Sequence, residues 1–354
     1  MGNLELIWER TLERMGEGPY LEYRIPGIVA TNRGTLLVCY EGRMSTHDDW
    51  ARIDTVLCRS EDDGQTWAKT PFVLSEAMGG TGQDTTNNPT LIVDGDHVHL
   101  IFHQNYARAF HCVSEDDGQT WSQPEEITQA FREFDRHWNV CATGPGHGIA
   151  TRSGRLIAPI WIADGAQLDE RRIAHQPSWA GAIYSDDHGR TWHAGALAET
   201  IADANETTIA ELPDGRILYN FRNREPEYYR WLGISSDGAE HIDRVWRCDA
   251  LPDPRCFASM IRLPDGGIVY AGCASGAANP DLPQARIHMT LMGCDGDPER
   301  WKTLVEVDAQ GGYPDVAVYQ DSLYVLYEID PVELGCVTKL VLKKYRLQSK
   351  PVQG

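Results

Sequence analysis

The sequence predicts an all-β fold, a six-bladed β-propeller, on three observations. The first is an internal repeat: SEDDGQTW at Ser60–Trp67, SEDDGQTW at Ser114–Trp121 and SDDHGRTW at Ser185–Trp192 all fit S-x-D-x-G-x-T-W. The second is a looser motif, a tight turn leading into an apolar or alternating run, which occurs six times. The third is that both ends of the chain read as strands, so one blade can take a strand from each and close a ring. Six units over 354 residues leave roughly 59 residues each, enough for four short strands.

Taken in order, LELIWERT (4–11) is the first strand, rich in β-formers. The looser motif then appears as RGTLLVCY (33–40), DGDHVHLIF (94–102), SGRLIAPIW (153–161), DGRILYNF (214–221), DGGIVYAG (265–272) and DSLYVLYE (321–328). Between these runs lie the S-x-D-x-G-x-T-W turns. Their Ser and Asp side chains suit acceptance of the following backbone N–H groups, and Gly supplies a positive φ. Thr and Trp begin the outgoing strand, with the indole laid back over the hairpin. Two degenerate echoes follow, SSDG at Ser235–Gly238 and GCDGDPERW at Gly293–Trp301, and TKLVLKKYRL (338–347) is the last strand. Pro and Gly punctuate the chain too often for long helices. An open two-sheet sandwich is the alternative, and it explains the repeats less well. The whole of 1–354 is read as one propeller domain.

Composition narrows the function. A net charge of −20 argues against nucleic acid or an anionic membrane surface as partner. Nine Cys without a C-x-x-C pair point to reduced, mostly buried thiols rather than a zinc or redox site. Residues 1–18 carry no signal-peptide apolar run, and no stretch of about 18 apolar residues occurs. A cytoplasmic location is the expectation. Eleven Trp and fourteen Tyr against seven Phe suit strand surfaces and sugar-binding clefts.

Several strings stand outside the repeated S-x-D-x-G-x-T-W turns. YRIPGIVATNRGTLLVCYEGR (23–43), followed by an Asp-rich loop and the first repeated turn, resembles the start of the exo-α-sialidases, whose repeated turn is called the Asp box. The resemblance runs nearly end to end. It continues through TGPGHGIATRSGRLIAPIW (143–161), ANETTIAELPDGRILYNFRN (204–223), ARIHMTL (285–291) and GGYPDVAVYQDSLYVLYE (311–328).

The resemblance implies that Arg24, Arg222 and Arg286 form a triad for a substrate carboxylate, with Glu328 orienting Arg24. Guanidinium forks are always charged and grip carboxylates in a bidentate manner. Tyr313 is implied as nucleophile and Glu206 as its base; a phenol avoids the like-charge approach that a carboxylate would suffer. The general acid/base falls in STHDDWARID (45–54). Counting from Arg24 and back from the Asp box favours Asp49, with Asp48 one residue away; the one pointing inward is expected to have a raised pKa. Arg43 and Asp84 match further substrate contacts, Asp84 and Trp50 near the sugar's acyl-amino group. His103, His147 and His175 read as hydrogen-bonded structural groups. Pro314 follows Tyr313 where relatives have Ser.

The expected activity is therefore a retaining exo-α-sialidase acting on a sialylated glycan or small sialoside, without cofactor or metal. A related nonulosonic acid as substrate is one alternative, and a non-catalytic sugar-binding propeller is another. The second has no use for Tyr313 and Glu206. A purely structural propeller leaves the three arginines unexplained.

Overall fold

The computed structural model of the chain describes residues 4–46, 48–72 and 76–348. Its strands form six sheets, antiparallel throughout except for the parallel pairing of Gly146–His147 with Thr90–Leu91 in blade 2. Blade 1 runs from the inside outward through Glu22–Ala30, Leu36–Arg43, Ile53–Ser60 and Ala68–Phe72; blade 4 does the same through Thr207–Glu211, Ile217–Phe221, Tyr229–Ser235 and Arg244–Pro252. Blade 5 is built likewise, and blades 2 and 3 each carry one additional two-residue strand. Blade 6 takes three strands from the C-terminal end, and Leu4–Arg14 as its outermost. That strand pairs with Lys339–Leu347 in a register running from Leu4 opposite Leu347 to Arg14 opposite Lys339. The ring closes as the sequence predicts, and the two-sheet sandwich is excluded.

Six hydrophobic clusters fill the six gaps between neighbouring blades. The second strand of blade 1 shows why. Leu36, Val38 and Tyr40 enter the cluster shared with blade 6, while Leu37 and Cys39 enter the one shared with blade 2. Alternate side chains point to opposite faces of a strand, and here both faces are covered. This accounts for continuous apolar runs such as TLLVCY where a one-sided sheet would alternate.

The Asp boxes join third to fourth strands and have the predicted hydrogen bonds. Ser60 Oγ accepts the Gly64 N–H at 2.9 Å, Asp62 accepts the Gln65 and Thr66 N–H groups at 3.0 and 2.8 Å, and the Thr66 hydroxyl donates to Asp62 at 2.7 Å. The boxes at Ser114 and Ser185 share the Ser, Asp and Thr bonds. The residue before each Gly is also left-handed, with φ of 61° at Asp63, 64° at Asp117 and 59° at His188. The echo at Ser235 is a full turn of the same kind: Ala239 takes the Gly position at φ 86°, and His241 replaces Thr in bonding Asp237.

Antiparallel order then divides the ring. Innermost strands run from Arg24, Glu206 and Tyr313 at one end towards Ala30, Glu211 and Val318, which line a cavity of about 300 Å³ at the other mouth of the channel. Asp boxes and first-to-second-strand turns lie at that far end. The unique loops, from second to third strands and from blade to blade, gather at the near end.

Candidate active site

Two innermost strands begin with distorted backbone that aims a polar side chain over the channel. In blade 1 the register slips between Arg24 and Gly27, and Ile25 is held at φ 57°, a conformation costly for a β-branched residue. Glu328, fully buried on the second strand of blade 6, holds this bend from two sides. It accepts the Ile25 N–H at 2.7 Å and grips Arg24 through Nε at 3.3 Å and Nη2 at 3.1 Å. In blade 6 the register slips again, and Tyr313 sits at φ 46°. Gly312 beside it has no room for a Cβ, which would lie 2.8 Å from Arg286 Cδ. Cys256 Sγ accepts the Tyr313 N–H at 3.3 Å from below.

The Tyr313 hydroxyl is the hub. It lies 2.8 and 2.9 Å from the two Glu206 oxygens and accepts from Arg222 Nη1 at 2.8 Å. Arg222 also pairs directly with Glu206. Arg24 and Arg286 flank the ring, their guanidinium carbons 5.1 and 4.9 Å from its centroid, within cation–π range. Burial pushes the Tyr313 phenol up, Glu206 adds to this, and the three arginines only partly offset it. The resting phenol therefore keeps its proton until a base removes it.

Each triad arginine has a nearest acid: Glu328 for Arg24, Glu206 for Arg222, and Asp330 for Arg286 at 3.0 Å, with Glu328 also 3.9 Å from Arg286. Asp330 was not singled out from the sequence, though it stands two residues after Glu328. Glu41 is a second omission of the same kind. Fully buried two residues before Arg43, it binds Arg43 through Nε at 2.9 Å and Nη2 at 2.6 Å. Strand alternation puts such i, i+2 partners on one face, so the signal was present.

Arg43 in turn reaches Asp49 through Nη1 at 2.8 Å. Asp48 instead turns back to accept the Trp50 N–H at 2.9 Å, so Asp49 is the one of the pair directed at the cationic floor. A raised pKa for this inward acid is not what the structure has. Burial pushes the Asp49 carboxyl up, but Arg43 and then Arg24 outweigh it and hold it below the usual carboxylate range. Asp84 is buried, and its carboxylate already accepts from the Thr81 N–H, Gln104 and Asn105. In this structure it braces its own loop.

Trp50 packs against Tyr106 and His175, with ring centroids 4.9 and 5.6 Å away, and Trp161 completes the wall 5.1 Å from His175. His147 is hydrogen-bonded to Asp315 at 2.7 Å, as expected of a structural histidine. His103 Nδ1 meets Cys141 Sγ at 3.8 Å. Nε2 of all three histidines is buried with no hydrogen-bond partner among the described residues; His103 and His147 are held through Nδ1, whereas His175 is held by its ring contacts with Trp50, Tyr106 and Trp161. All nine cysteines are free, eight of them buried.

Among known families, the one described as BNR repeat-like domain matches residues 34–325. The chain belongs to this BNR-repeat family. Within it, the chain is similar to a sialidase of Bacteroides fragilis, 28% identical over 92% of this chain and 64% of that protein. It is likewise similar to a sialidase of Micromonospora viridifaciens, 30% identical over 92% of this chain and 53% of that protein. The BNR-repeat chain thus spans between half and two-thirds of the length of these curated relatives. Among solved structures, the Hadza microbial sialidase Hz136 superposes with a TM-score of 0.76 at 24% identity, covering 96% of this chain and 68% of that one. The resemblance read from the motifs, to bacterial-type exo-α-sialidases, therefore holds at the level of the family.

Proposed function

We propose that the chain is an exo-acting, retaining α-sialidase that releases a terminal sialic acid through a tyrosyl-linked intermediate. The observation that carries the reading is the Tyr313 hydroxyl, in contact with both oxygens of Glu206 and with Arg222. A lectin has no use for a phenol joined to a base at the floor of its cleft.

In this reading the substrate carboxylate lies across Arg24, Arg222 and Arg286, whose charges the sugar acid answers in bidentate fashion. As Tyr313 Oη attacks the anomeric carbon, its proton passes to Glu206, and Arg222 stabilises the developing phenolate. Asp49 gives a proton to the departing glycosidic oxygen. It later takes one from the water that attacks the intermediate, which restores Tyr313 and returns the sugar with its original anomeric configuration. Asp49 can serve as the acid only if its affinity for a proton rises on binding. An incoming carboxylate that draws Arg24 and expels water acts in that direction, since both changes favour the neutral acid. The aromatic wall of Trp50, Tyr106 and Trp161 gives the sugar's acyl-amino group an apolar neighbour.

The test is a fluorogenic α-sialoside offered to the chain and to Tyr313→Phe. Release by the first and its near-loss in the second supports the reading. Saturable binding of sialic acid without release replaces it with a sugar-binding propeller.

A further inference from the structure

Beside the triad, on the same face of the ring, stand two arginines that the proposed chemistry does not use. Arg224 lies on the 222–228 loop of blade 4, two residues beyond Arg222. Arg255 lies on the 253–258 connection to blade 5 and reaches across to that loop. Its Nη2 donates to the carbonyls of Arg224 at 3.2 Å and Glu225 at 3.4 Å, and its guanidinium covers the Tyr228 ring at 4.4 Å. Its Nε is buried with no hydrogen-bond partner among the described residues. The Arg224 guanidinium faces the Gln176 amide oxygen, with that amide in the orientation that satisfies it.

We propose that Arg224 and Arg255 form a second anion subsite at the rim of the cleft, and that the favoured substrates are glycosides carrying an acidic group besides the carboxylate taken by the triad. The contrast with the triad carries the argument. Arg24, Arg222 and Arg286 each meet a carboxylate within ion-pair distance. Arg224 and Arg255 meet only neutral oxygens among the described residues: an amide and two backbone carbonyls. In a chain with a net charge of −20, acids were available to neutralise them. Two cations within electrostatic reach of each other and of Arg222, with no carboxylate at ion-pair distance among the described residues, are a standing cost that an anion removes. Consistent with this, burial and then Arg222 depress the Arg224 pKa, Arg255 adds to the effect, and only Asp203 opposes it from beyond ion-pair range. Both side chains retain N–H donors for a carboxylate, sulfate or phosphate.

The proposal rests on the glycosidase reading above and is tested so that the two can fail separately. The probes are α-sialyllactose and its α-disialyl counterpart, which differ by one acidic residue, compared by kcat/KM at low ionic strength. The chain is expected to favour the disialoside by about tenfold, the worth of one charge-assisted hydrogen bond. Added salt erodes the preference, because the subsite is open to solvent. In Arg224→Gln, and further in Arg224→Gln/Arg255→Gln, the ratio falls to within about twofold of one, while Arg224→Lys keeps part of it. A native ratio near one, or a ratio that survives the double substitution, overturns the subsite. If neither glycoside is cleaved, the glycosidase reading fails, and calorimetry of the same two ligands decides the subsite. Tighter binding of the disialoside that is lost in Arg224→Gln upholds it, and equal binding overturns it.

Discussion

Replacing Glu206 by Gln keeps the size of the side chain and removes the proton acceptor from Tyr313, with opposed electrostatic consequences. Both Glu206 oxygens lie within 2.9 Å of the phenol oxygen, so ionised Glu206 disfavours phenolate. At that separation the like-charge term is about 6 kcal/mol for an effective dielectric near 20, part of which Arg222 already cancels from 2.8 Å. Loss of the carboxylate thus lowers the cost of a phenolate but leaves no group to receive the proton at neutral pH. A positioned base is worth about 10²–10⁴ in rate, or roughly 3–5 kcal/mol. We expect Glu206→Gln to lose that much in kcat/KM at pH 7 on a fluorogenic α-sialoside. Activity should then recover with rising pH as hydroxide ionises Tyr313 directly, an alkaline limb absent from the unsubstituted chain. A loss below tenfold, or a profile without that limb, would refute the assignment of Glu206 as base.

Other substitutions separate the remaining roles. Asp49→Asn should cost about 10²–10⁴ in kcat on a glycoside with a poor leaving group and far less on a fluorogenic one. Asp48→Asn, which alters the carboxylate that accepts the Trp50 N–H, should leave both rates within a few-fold, and the reverse pattern would exchange the two. Asp330→Asn deprives Arg286 of its nearer carboxylate, leaving Glu328 at 3.9 Å, and should raise KM by roughly three- to thirtyfold with a smaller change in kcat, as expected for about 1–2 kcal/mol of lost orientation; an unchanged KM removes Asp330 from the triad's support. Stability should also fall in acid. Burial pushes His99 down to about 4 and His111 to about 3, and the rings share a 2.9 Å hydrogen bond. An unfolded His takes its proton near pH 6.5, so between there and pH 4 the unfolded chain binds more protons and folding weakens as pH drops. Thermal melts should show this fall, and His111→Gln should flatten it.

The fold was legible because each blade repeats its own solution. A second strand buried on both faces must be apolar throughout, and each Asp-box turn calls for Ser, Asp and Gly at fixed offsets. The turn at Ser235 was half-hidden because Ala239 and His241 do by geometry what Gly and Thr do by preference. The site residues were those the family resemblance implied, and Arg24, Arg222, Arg286, Glu206 and Tyr313 do meet at the channel mouth. Asp330 and Glu41 could have been read from strand alternation. The wall of Trp50, Tyr106, Trp161 and His175 could not, since it is assembled from loops of three blades and the strand Leu156–Ala163, whose convergence no local pattern announces. Nor could the low proton affinity of Asp49, which depends on how near Arg43 and Arg24 come to one loop carboxylate.

The central claim is that Tyr313 becomes covalently bonded to the sugar. A 3-fluorinated sialosyl fluoride slows breakdown of such an intermediate more than its formation, so it can be trapped and weighed. Mass spectrometry of the treated, digested protein should find one added fluorosialosyl unit on the peptide bearing Tyr313, and none in Tyr313→Phe. An adduct on Glu206 or Asp49, or steady turnover of a fluorogenic α-sialoside with no adduct at all, would contradict the account.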